Sequence, residues 1–140
     1  MIRLGHQSRI MEKELKDIRD IEDIKLLVNS FYDKVNSDPL LSPIFNEVAK
    51  VDWATHLPKM YEFWNMIIFG SQDYNGSPMG VHMQLSTQTT MGKEQFDRWK
   101  FLFFKTVDEL FLGANAEEAK SRAEAVAATM MFKIKKFSGG

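Results

Sequence analysis

The chain predicts an all-α domain, and three observations carry that expectation. Apolar residues recur at helical spacing along most of its length, and no stretch alternates convincingly as a strand does. The periodic segments are separated by Pro39, Gly70 and Gly113, residue types that end helices. At 140 residues and 44% hydrophobic, the chain is long enough to close one core. Four long helices and two short ones are expected, in one domain over 1–140, with residues 1–19 a partly ordered extension and 1–12 the loosest part of it.

The first long helix begins around Asp20, with Asp23 at capping-box spacing. Ile24, Leu27, Val28, Phe31 and Val35 form its inner stripe, with Tyr32 at the edge of that stripe. The helix ends at "NSDP", because Pro39 disfavours helical geometry at Asp38. The segment "LLSPIF" then reads as one or two turns leading into Phe45. Asp52 caps the second long helix, Trp53 to about Phe69, whose inward stripe is His56, Met60, Phe63 and Ile67, with Leu57 and Trp64 beside it. Pro58 falls near its first turn, where a missing donor is best tolerated, and at most a local distortion is expected there. Gly70 ends that helix, and "GSQDYNGSP" is a loop on composition. Pro78 opens a short helix carrying Met79, His82, Met83 and Leu85, followed by a polar "STQTT" linker. The third long helix runs from about Lys93 to Leu112 with Phe96, Trp99, Phe103, Val107 and Leu110 on one face. Asn115, with Glu118 three residues on, opens the last helix. Its stripe is Ala119, Ala123, Val126, Met130 and Ile134, and its basic end "KIKKF" opposes the helix dipole from solvent.

Several function classes are excluded by composition. There is no cysteine, which removes disulfides, thiolate catalysis, iron–sulfur clusters and Cys-type zinc sites. A net charge of −1 gives no electrostatic case for nucleic acid or an anionic membrane. No apolar stretch approaches the roughly 18–20 residues of a membrane span. The charged N-terminus lacks the apolar core of a signal peptide, so a cytoplasmic location is expected. HExxH, P-loop, GxGxxG and G-x-S-x-G motifs are all absent.

Three histidines remain: His6 in the weakly patterned N-terminal stretch, and His56 and His82 on apolar helix faces. Each of the latter two can be an ordinary core histidine bonded to a carbonyl. Zinc is a poor fit, since it needs three or four ligands and no inward carboxylate accompanies the pair. Two histidines on opposing helices in a Phe/Trp/Met surround suit a haem better, because its iron needs one firm imidazole and its porphyrin a wide apolar slot. Tyr32 and Trp99 are further inward polar groups. The Tyr32 hydroxyl needs a partner when buried, and the Trp99 indole is a donor only. Either can serve the core or face a ligand.

The succession "FYDKV…SDPLLSPIFN…VDWATHLPKMYEFWNMIIFG…DYNGSPMGVHMQL…FDRWKFLF" resembles the truncated haemoglobins, and within them the group III branch. The likeness covers about residues 24–112. Paired-glycine motifs usual in groups I and II are absent. The resemblance implies a globin-like, truncated two-over-two helical sandwich enclosing haem b. It implies His82 as the iron ligand, with Tyr32, His56 and Trp99 as the distal, ligand-stabilising side chains. Phe45 falls on the phenylalanine that wedges against the porphyrin. Met60, Phe63 and Trp64 fall on the distal wall, and Met79, Val81 and Phe96 on the proximal side.

What the resemblance implies for function is binding of O2 at a pentacoordinate iron, with NO, CO or peroxide as related ligands. A donor-lined pocket of that kind suits redox or NO/O2 detoxification more than transport. No reductase or flavin motif is present, so turnover would draw on a separate electron donor. The chain is expected to be a monomer, or at most a weak dimer. A haem-based sensor shares every one of these features, and a haem-free helical interaction domain would show no colour on purification.

Overall fold

The structure, a computed structural model, describes residues 14–48, 50–70 and 92–137, with side chains at 48 and 132–137 excepted. Helix α1 spans Ile21–Ser37, α2 Trp53–Phe69, α3 Lys93–Leu110 and α4 Ala114–Phe137. A π-helical turn at Ile44–Val48 lies between α1 and α2. The short helix expected after Pro78 and the linker behind it lie outside the described residues.

The starts and stops of α1 and α2 follow local chemistry. Asp20 accepts from the Asp23 amide at 3.1 Å. Asp23 reaches one residue beyond the box expected of it, accepting from the Arg19 amide at 2.9 Å. Asp38, with ψ 125, ends α1 before Pro39. Its buried carboxylate accepts from the amides of Leu40 and Leu41 at 3.0 Å each and pairs with Arg98 at 2.7 Å, which ties the turn to α3. Asp52 caps α2, and Gly70, with φ +74, ends it in the left-handed region that glycine adopts without strain. Pro58 sits inside α2, which remains a single helix through Phe69.

The last two helices join differently from the expectation. Helix α3 ends at Leu110 rather than Leu112, because the chain turns extended at Phe111 and forms an isolated parallel bridge to Lys16, with the Leu112 amide on the Lys16 carbonyl at 3.0 Å. The start of α4 is not held by the Asn115/Glu118 pairing. Glu118 bonds Arg122 instead, at 2.6 Å, and Asn115 donates its side-chain amide to the Ile18 carbonyl at 2.8 Å. The capping group is Asp17, which accepts from the amides of Asn115 and Ala116 at 2.9 Å each. Gly113 allows that approach, since a Cβ there would lie 2.4 Å from Asp17 Cγ.

Contacts run α1 with α2, α1 with α3, α3 with α4 and α2 with α4, so two helix pairs lie over each other around one core. Ile24, Leu27, Val28, Phe31, Tyr32 and Val35 bury the inner face of α1. Ala116, Ala119, Ala123 and Ala127 line the buried face of α4 and let it approach its neighbours closely. Ile18 is also fully buried, so the segment just before α1 belongs to the core. No helix among the described residues is long and apolar enough to cross a membrane.

Candidate functional site

Helix geometry splits the two adjacent rings of α1 between different neighbours. Phe31 and Tyr32 project about 100° apart. Phe31 meets α3, edge-on to Trp99 at 5.6 Å and to Phe103 at 5.2 Å. Tyr32 turns further toward α2 and the π-helical turn, with Phe45 at 6.2 Å, Trp53 at 5.2 Å and His56 at 5.4 Å. The backbone of His56 is fixed by the first turn of α2, its amide donating to the Asp52 carbonyl at 2.9 Å. Its ring stands edge-on, at 81°, to both Tyr32 and Trp53.

Trp99 is held in orientation from behind. Its ring stacks on Phe103 at 6.0 Å, and Phe103 stacks in turn on Trp64 at 4.9 Å. Phe63 closes edge-on against Trp64 at 5.4 Å. A stack anchored on α2 and α3 leaves the Trp99 indole little rotational freedom. Such aromatic pairs add about 0.5–1.5 kcal/mol each beyond the area they bury.

The electrostatics of Tyr32 follow from that enclosure. Burial pushes its phenol above the usual range, and a hydrogen bond from the Trp99 indole works against the shift without cancelling it. Tyr32 therefore keeps its proton throughout the neutral range. Tyr32, His56 and Trp99, from three different helices, are thus brought together as buried polar groups. Phe45, Met60, Trp64 and Phe96 are buried with them, and Phe63 is half-buried. His82, Met79 and Val81 lie outside the described residues, as does His6. Among the described residues, no cluster of three His, Asp or Glu can hold a metal ion by itself.

Residues 17–133 match the family described as "Bacterial-like globin". The chain is 30% identical over 121 residues to "Group 3 truncated hemoglobin ctb" of Campylobacter jejuni, covering 84% of this chain and 93% of that one. The crystal structure of a group III truncated haemoglobin from Campylobacter jejuni superposes with a TM-score of 0.72 at 29% identity, over 85% of this chain and 94% of that one. The chain is a group III truncated haemoglobin of the bacterial-like globin family. Its fold is the truncated, two-over-two form expected of that family.

Three further rings, Phe31, Phe103 and Trp53, pack among these side chains. In the sequence Phe31 and Phe103 read as helix stripe only, and Trp53 as the first residue of its helix, although its place three residues before His56 puts the two on one face of α2. That i, i+3 spacing was the available signal.

Proposed function

We propose that this globin binds haem b and uses it on O2 and related diatomic ligands, for redox or NO/O2 detoxification chemistry rather than transport. The observation that supports this is the convergence of Tyr32, His56 and Trp99 inside an otherwise aromatic and Met wall. That donor set fits the distal side of a haem, which would supply an iron on which a diatomic ligand binds. Phe45, Met60, Phe63, Trp64 and Phe96 would hold the porphyrin from this side of the pocket. Met79 and Val81 would line the other, with His82 as the iron's imidazole. A chain without cysteine makes no thioether links to a porphyrin, in keeping with haem b.

The chain's own residues do the discriminating. Tyr32 Oη holds its proton and can donate it in a hydrogen bond, and the Trp99 indole can only donate. Donors fixed in a dry pocket favour a ligand that carries partial negative charge, as O2 does, over a less polar one of the same size. Two of them slow its release, which suits a reaction and suits delivery poorly. The second nitrogen of His82 would need an acceptor to set its tautomer. Electrons for turnover would come from a separate reductase.

Purified full-length protein is expected to show a globin-type Soret band. The His82→Gly variant should lose most of that band and recover it with added imidazole. An unchanged, fully loaded His82→Gly spectrum without imidazole would remove His82 from its role.

A further inference from the structure

Trp53, the first residue of α2, is tied differently from the other aromatics of the site. It is only partly buried, yet its ring contacts three buried ones. It stacks on Phe45 at 6.1 Å and lies against Tyr32 and His56 at 5.2 and 5.4 Å. Its indole Nε1–H donates to Asn46 Oδ1 at 2.8 Å. Asn46 is held in turn by donating its amide to Asn36 Oδ1 at 2.8 Å and to the Ser42 carbonyl at 3.2 Å. Asn46 sits in the π-helical turn, a wider turn often found at functional sites. That turn points Asn46 to solvent and the preceding Phe45 into the core.

Packing holds one face of the Trp53 ring, while an exposed pair of side chains, Asn46 and Asn36, holds its rim. A neutral hydrogen bond open to water exchanges readily with it and is a weak tether.

We propose, resting on the haem reading, that Trp53 determines ligand access to the distal pocket, with Asn46 as its latch. The closed ring stands at the edge of Tyr32 and His56, and loss of the Trp53–Asn46 bond opens a path for small uncharged ligands such as O2, CO and NO. His56 is itself nearly inaccessible, its ring edge-on to Trp53 at 5.4 Å.

Flash photolysis of the CO complex of the haem-loaded full chain tests this. Asn46→Leu and Trp53→Phe each break the latch while keeping bulk, and each should raise the CO association rate by about threefold to tenfold. The double variant should add little to either single one, because both remove the same bond. Trp53→Ala, if it folds, should be faster still. In NMR of the same protein, the Trp53 indole N–H, identified by its loss in Trp53→Phe, should exchange faster in Asn46→Leu while the Trp99 indole does not change. CO rates equal to wild type in both Asn46→Leu and Trp53→Phe, with a normal Soret band, overturn the access role and leave the haem reading standing. A wild-type chain with no Soret band overturns that reading, and the access role falls with it.

Discussion

The most informative single residue is Tyr32, because its burial decides both its charge and its use. An exposed phenol ionises near pH 10. Here burial raises that value, and the Trp99 indole offsets only part of the rise. Below the ordinary phenol pKa both folded and unfolded chains carry the proton, so the group is neutral to stability there. As pH rises past it, the unfolded chain ionises first, and stability falls toward the folded-state value. Ligand release should accordingly be insensitive to Tyr32 ionisation from about pH 6 to about pH 10. Stopped-flow O2 release across that range checks this, and a step that disappears in Tyr32→Phe would contradict it. Each donor contributes about 1 kcal/mol net, or roughly fivefold in affinity. Tyr32→Phe and Trp99→Phe should therefore each speed O2 release by about fivefold and leave CO release nearly unchanged. Because the two side chains serve one ligand position, the double variant should fall short of the product. An unchanged O2 off-rate in both single variants would place the ligand elsewhere.

At the scale of elements, the clasp that starts α4 makes the sharpest stability prediction. Burial alone would raise the Asp17 pKa, but backbone amides of Asn115, Ala116, Ile18 and Ala114 outweigh it and hold the carboxylate below its usual range. A lowered folded pKa means the stabilisation is present above the unfolded carboxylate pKa and is lost as pH falls through the folded one. Asp17→Ala should cost about 1–2 kcal/mol at neutral pH, as losses of a helix cap do, and the cost should shrink below about pH 4. Gly113→Ala should also destabilise, from its φ of +151 and from the collision with Asp17. In an Asp17→Ala background the Gly113→Ala penalty should fall, leaving the backbone part. Thermal melts of the four proteins measure both effects, and strict additivity would mean the two residues do not touch. The same elements show why legibility differs along the chain. The ends of α1 and α2 are readable because Asp20, Asp52, Pro39 and Gly70 act within a few residues of where they stand. The last helix starts within one residue of the Asn115 expected, but its cap is not readable, because Asp17 lies nearly a hundred residues away in sequence.

For the whole molecule, periodicity shows which face of each helix turns inward but not which faces meet. Tyr32, His56 and Trp99 could each be recognised as inward and polar. That they meet in one part of the core is not legible from periodicity, and the family likeness carries the helix order and crossing that bring them together. Trp53 follows the Asp52 cap, where a residue reads as a boundary rather than as part of a face. The proposed haem site has a thermodynamic consequence. A haem that binds only the folded chain stabilises it by mass action, by about 4 kcal/mol when free haem stands near a thousand times its dissociation constant. For a chain of 140 residues, the entropy of unfolding makes 1 kcal/mol worth about 3–4 °C. Haem loading should thus raise Tm by more than about 10 °C. His82→Gly should recover only part of that rise, since it removes the iron's imidazole and leaves the apolar slot. Calorimetry of haem-free, haem-loaded and His82→Gly protein separates the two contributions. A wild-type Tm that does not move with haem concentration would show that the aromatic core closes by itself, and that Tyr32, His56 and Trp99 serve one another rather than a ligand.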